Sequence, residues 1–205
     1  MLGAVRALTV LMLVLAAPAA GSDVGMSGNE GQPRGRFPLA VRLASFGNAA
    51  LDATARTVLD DWNALSRATL GVPAFANAGG GADAGIVVTA LHGDAQRLMG
   101  QTLLEIDPTG VITLPVRIEV VQPRTRGKTP ADVVLYQVLA HELGHALGLV
   151  HSRAPRSIMC CVPGSVDFND AAQRDAYIDA RRHPDLASLR AELNGHYQRF
   201  WTRHP

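Results

Sequence analysis

The chain has 205 residues, 47% of them hydrophobic, which is enough for one domain with a sizeable core and too few for two large ones. With 19 Lys and Arg against 18 Asp and Glu, the charge is nearly balanced. No overall field therefore points to nucleic acid or to an acidic membrane surface, and any partner has to be read from a site.

At the start, Arg6 precedes an apolar run over 7–17, and Ala17-Pro18-Ala19 offers the small residues of a cleavage site. The run is shorter than the ~20 residues that a bilayer-spanning helix needs. Residues 1–19 therefore read as a signal peptide, which implies a secreted protein, and no later segment is long and apolar enough to span a membrane. Residues 20–36 are rich in Gly, Ser, Pro and polar side chains and are expected to form a flexible N-terminal arm.

Residues 37–45 read as a strand, with Leu39, Val41 and Leu43 alternating toward a core. Asn48 is placed to cap a helix running to about Ser66, in which Leu51, Ala55, Val58, Trp62 and Leu65 recur at helical spacing. Short apolar runs follow at 72–76 and 84–90, the second a strand. Residues 100–106 and 111–121 flank the turn-forming Asp107-Pro108-Thr109-Gly110 and predict a hairpin. Thr129 as cap and Pro130 in the first turn start a helix over 130–147, which Gly148 ends in a left-handed turn. Residues 167–182 and 185–201 read as two further helices broken at His183-Pro184, with a core-facing stripe of Leu186, Leu189, Leu193, Tyr197 and Trp201. His183, His196 and His204 are expected to be exposed. The interleaved order predicts a mixed α/β (α+β) domain.

The chemistry is concentrated in the 130–147 helix and the turn after it. His141 and His145 are four residues apart and project from one helix face, so they can grip one ion. Gly148 lets the chain reverse and bring His151 back as a third ligand. Three neutral imidazoles leave a tetrahedral zinc one open position, the mark of a catalytic site. Water fills that position, and Glu142, on the adjoining flank, can accept its proton and pass it to the departing amine. The extended pattern His-Glu-Leu-Gly-His-Ala-Leu-Gly-Leu-Val-His is far more specific than the two-histidine core, because it falls where a helix stop and a chain reversal are independently expected.

These residues resemble the metzincin clan of zinc peptidases, whose longer signature includes a downstream methionine turn, here Ser157-Ile158-Met159. The resemblance makes Met159 a hydrophobic floor under the metal and not a ligand. Val138-Leu139-Ala140 before the motif, Ser152 after it and the short gap to Met159 look most like matrixins. The likeness implies a metzincin-like catalytic domain over 37–166, with a twisted mixed sheet, two main helices, a zinc helix and a Met turn. It also makes Gly100, Gln101, Thr102 and Leu103 an edge strand that an extended substrate joins by main-chain hydrogen bonds. Residues 167–205 would then be a helical extension packed on that domain.

Several features depart from the family pattern. No propeptide cysteine is present to hold the zinc, and position 161, where astacins and serralysins place a metal-binding Tyr, is Cys. His92-Gly93-Asp94 is reminiscent of a matrixin structural zinc site, but no histidine lies between His92 and His141, which favours an ordinary polar loop. Cys160 and Cys161 are the only cysteines. Adjacent α-carbons ~3.8 Å apart across a trans peptide lie below the usual disulfide range, which leaves free thiols, a vicinal disulfide and an intermolecular bridge all open.

The functional expectation is a secreted, monomeric zinc endopeptidase acting on protein or peptide substrates. One Zn²⁺ is expected, and nothing in the residues supports a calcium site. The rival expectation is a secreted binding protein that uses the zinc domain as a rigid scaffold.

Overall fold

The computed structural model describes residues 26–79, 83–92 and 99–205. The signal-peptide reading of residues 1–19 and most of the His92-Gly93-Asp94 segment lie outside the described residues.

Five strands form one sheet: β1 Leu39–Leu43, β2 Phe75–Asn77, β3 Ile86–Leu91, β4 Gly100–Leu103 and β5 Val116–Val121, in the order β2-β1-β3-β5-β4. β1 pairs in parallel with β2 and β3, and β3 with β5, whereas β4 runs antiparallel to β5 on the outer edge. Period-2 alternation buries one face, with Leu39, Val41, Ile86, Val88, Val116, Ile118 and Val120 inside. The register sets Val41 beside Ile86, and Ile86 beside Val116. It also places Thr102 opposite Ile118, so this hydroxyl lies on the inner face although it belongs to the edge strand.

Two helices, α1 Ala49–Leu70 and α2 Ala131–Ala146, pack on each other and on that inner face. Asn48 caps α1 as expected, accepting the Leu51 N–H at 2.9 Å. The helix runs past Ser66, whose hydroxyl bonds the Val72 carbonyl at 2.7 Å without breaking the helix; Gly71, at φ +77°, is what ends it. Trp62 is fully buried and donates its indole N–H to the Ala140 carbonyl, tying α1 to the middle of α2. Burial of a large apolar side chain of this kind contributes about 1.5–3 kcal/mol. α2 begins at Pro130 in the cap position and not at Thr129, whose backbone instead bonds Arg126 in a preceding bridge.

The chain continues into α3 Ala171–Arg182 and α4 Arg190–Arg203, separated at His183-Pro184. α4 buries Leu193, Tyr197 and Phe200, and Tyr197 donates its hydroxyl to the Leu147 carbonyl at 2.9 Å. His196 corrects the expectation of an exposed tail: it is 5% exposed, because its position on α4 falls on the same inward face as Tyr197 and Phe200. His183 is exposed.

The expected flexible arm is also corrected over residues 27–36. Glu30 and Gln32 are buried, Gly31 bridges to Val111, and Trp201 donates to the Gln32 carbonyl at 3.0 Å. Polarity does not keep this segment loose, because Glu30 satisfies it internally: its carboxylate accepts the N–H groups of Ser27, Gly28 and Asn29 and the Ser27 hydroxyl. Burial works against that charge, but the donors outweigh it and hold the carboxyl below its usual range.

Candidate metal centre

The end of α2 shapes the site. Leu147 is the cap, and Gly148 follows at φ +88°. Gly148 N–H bonds the His145 carbonyl at 2.9 Å and Leu149 N–H bonds the Gly144 carbonyl at 3.0 Å, the paired bonds of a Schellman end. Gly148 has a second reason to be glycine, since any side chain there would run into the Glu30 carbonyl of the N-terminal segment.

This reversal brings His151 to His141 and His145, with ring centroids 4.7–5.1 Å apart. His141 Nε2 lies 3.1 Å from both His145 Nε2 and His151 Nε2. His141 Nδ1 sits 2.9 Å from the Ile158 carbonyl, and His145 Nδ1 sits 2.8 Å from the Leu149 carbonyl. A carbonyl only accepts, so each of those Nδ1 atoms carries its ring's proton and each Nε2 turns a bare lone pair toward the other. Two such lone pairs at 3.1 Å repel each other unless a cation lies between them. A tetrahedral zinc with N ligands at its usual ~2.0–2.1 Å places them roughly 3.3 Å apart, so the donor set fits zinc in spacing and in chemistry. Burial, reinforced by the neighbouring His145, pushes the His141 pKa down to about 3, which keeps the ring neutral and able to ligate.

Met159 is fully buried next to Gly144, where a Cβ would strike its Sδ. The loop that carries it is held shut by Ser152 N–H to the Met159 carbonyl at 2.8 Å and by the Ser157 hydroxyl, which accepts the Met159 N–H at 3.1 Å. The Met turn thus also supplies the Ile158 carbonyl that orients His141. Cys160 and Cys161 follow directly and are joined to each other as a disulfide across a cis peptide, with α-carbons 3.0 Å apart in place of the trans spacing assumed from the sequence.

Glu142 is 4% exposed and faces β4. The Thr102 hydroxyl lies 2.7 Å from Glu142 Oε2 and 3.0 Å from the Glu142 carbonyl, and its single proton is best spent on the charged acceptor. Gly100 lies so close to α2 that a Cβ would meet Val138 and Glu142. Gln101 donates to Glu119 on β5, and Leu103 points outward. A cavity of about 210 Å³ opens beside these residues, bounded by Gly100, Val138, His141, Glu142 and, from α3, Tyr177 and Arg181. Sequence reasoning singled out Thr102 only as part of an edge strand and missed Ile158 as an orienting carbonyl. It also missed the α3 wall, for which no local signal exists.

A three-imidazole centre with a buried carboxylate beside it, set on a helix next to a sheet edge, defines a zinc-dependent hydrolase domain. The matrixin family model matches residues 47–175, more than half of the chain, and the chain belongs to that family. It is a zinc metalloendopeptidase whose substrates are proteins, and His141, His145 and His151 are its candidate zinc ligands. A search of curated proteins finds none that matches. The family match ends within α3, so Arg181 and all of α4 lie beyond it.

Proposed function

We propose that this chain is a secreted, monomeric endopeptidase that cuts extended protein segments, with Glu142 as general base and His141, His145 and His151 as the metal ligands. The observation that carries this reading is the Glu142 carboxylate, buried beside the three imidazoles and held by Thr102. A purely structural zinc site has no use for a charged carboxylate there, and leaving one in a buried position costs stability. When bound, zinc supplies Lewis acidity, polarising a carbonyl oxygen and acidifying a water molecule. Held by the Thr102 hydrogen bond, the Glu142 carboxylate takes a proton and returns it to the departing amine. β4, on the open edge of the sheet, offers its outer N–H and C=O groups to an extended chain, and Gly100 keeps that approach close to the base.

Secretion rests on the apolar run over 7–17 and on Ala17-Pro18-Ala19. No helix among the described residues is long and apolar enough to cross a membrane. N-terminal sequencing of exported protein should begin near Ala20.

The test of the mechanism is Glu142→Ala. Zinc content, measured by metal analysis, should stay near one ion per chain, while hydrolysis of a peptide library falls by at least about 10²-fold. His145→Ala should lose both. A Glu142→Ala protein as fast as the parent sinks the mechanism, and a zinc-loaded parent that cuts nothing in the library favours a binding scaffold.

A further inference from the structure

The cavity beside Glu142 is walled on one side by α3, whose Tyr177 and Arg181 lie beyond or outside the motif that holds the metal. Arg181 is half-buried there. One of its terminal nitrogens donates to the Cys160 carbonyl at 3.1 Å, and its guanidinium lies 4.8 Å from the centre of the Tyr177 ring. Phe168 packs edge-on against that ring, with centroids 5.4 Å apart. The guanidinium is thus fixed in place from two directions, yet it makes no ion pair with a carboxylate among the described residues. A guanidinium has five N–H donors, so a single carbonyl leaves most of its fork unused.

A second group in the same wall points the same way. Gln137, one turn before His141 on α2, is 8% exposed, and its side-chain nitrogen has no hydrogen-bond partner among the described residues. A buried N–H donor left without an acceptor is costly unless a ligand supplies one. Among the described residues Glu142 is the one carboxylate in the lining, and it is turned toward Thr102 on β4. The cavity therefore carries unspent donors and positive charge toward α3 and negative charge at the base.

We infer that Arg181, assisted by Gln137, is a specificity determinant that selects a carboxylate on the substrate residue entering this cavity. The inference rests on the endopeptidase reading above and adds the substrate class. Charge polarity orients the ligand: a carboxylate is drawn to Arg181 and repelled from Glu142, so it settles at the α3 end and leaves the base clear. A planar guanidinium pairs with a carboxylate through two parallel bonds, a geometry that neither a Gln nor an Asn side chain on the substrate reproduces. The carboxylate can come from an acidic side chain or from the end of a short peptide.

The experiment uses zinc-loaded protein and quenched fluorescent peptides that differ only by Glu or Gln at each position flanking the cleaved bond, each made with a free and an amidated C terminus. At one flanking position Glu should exceed Gln in kcat/KM by about tenfold or more, carried mainly by KM. A preference for Glu that survives amidation makes the side chain the source, and a free acid cut faster than its amide with Glu and Gln alike makes it the chain end. Arg181→Met should bring the ratio to about one, Arg181→Lys should restore it only in part, and Arg181→Glu should invert it in favour of Gln. Because ratios are compared, a general loss of activity through the Cys160 contact does not mimic the result, and the parent's own ratio needs no variant. No preference for either carboxylate in a parent that cleaves other peptides overturns the inference and leaves the protease reading intact. If the parent cleaves nothing, fluorescence anisotropy with Glu and Gln peptides on the Glu142→Ala protein, with and without Arg181→Met, still decides the binding claim: equal affinities refute it.

Discussion

Gly144 lies inside the His141–His151 motif without being one of its candidate ligands, and Gly144→Ala measures how tightly Met159 is packed against it. Its backbone is helical, so on helix propensity alone the change should stabilise by about 1 kcal/mol. The tertiary structure opposes this. The new Cβ would strike Met159 Sδ, lie 3.1 Å from Met159 Cε and come within 3.6 Å of Trp62 Cζ2, and both of those side chains are 0% exposed. Overpacking of such a core costs about 1–3 kcal/mol, so the variant should be destabilised in spite of its propensity. Met159→Ala alone should cost about 2–5 kcal/mol by leaving a cavity. In that background the collision is gone and the propensity gain returns, so adding Gly144→Ala should stabilise by about 1 kcal/mol. The sign of one substitution therefore reverses with the other. Urea unfolding of chelator-treated proteins, followed by tryptophan fluorescence, measures all four members of the cycle. Zinc affinity should also fall about tenfold in Gly144→Ala, because displacing Met159 moves the adjoining Ile158 carbonyl that orients His141. The same sign for Gly144→Ala in both backgrounds would refute the packing argument.

Two further outcomes follow from groups outside the ligand set. His196 is held neutral chiefly by burial and next by Arg199, with its pKa lowered from 6.5 to about 4. Between those values the unfolded chain binds the proton and the folded chain does not, so stability is full above pH 6.5 and declines as pH falls toward 4, by up to about 3 kcal/mol. His196→Phe should flatten that decline in urea titrations of zinc-free protein at pH 7 and pH 5; equal slopes in parent and variant would count against it. Thr102→Val keeps the shape of the side chain but removes the hydroxyl held 2.7 Å from Glu142. Its kcat should drop about tenfold at unchanged zinc content, the scale of one charge-assisted hydrogen bond, and an unaltered kcat would show that Thr102 does not position the base.

The clustering of the three candidate metal ligands was legible in the sequence because their geometry is local. A spacing of four on a helix puts His141 and His145 on one face, and a glycine two residues past the helix end returns the chain to His151. Each step depends on backbone rules that act over a few residues. The same locality exposed Asn48 as a cap and the alternation of β1, and it misplaced the start of α2 by one residue, where Thr129 is already committed to a bond with Arg126. What only the tertiary structure decided comes from groups far apart in the chain. Thr102 meets Glu142 across 40 residues because sheet register turns an edge-strand hydroxyl inward. Arg181 reaches the Cys160 carbonyl because α3 folds back over the Met turn. Residues 27–36 look too polar to fold, yet Glu30 gathers its own donors and Trp201, 169 residues away, bonds the Gln32 carbonyl. Composition reports how much apolar surface a segment owns, but whether that segment is ordered depends on the surface that a distant helix lends it.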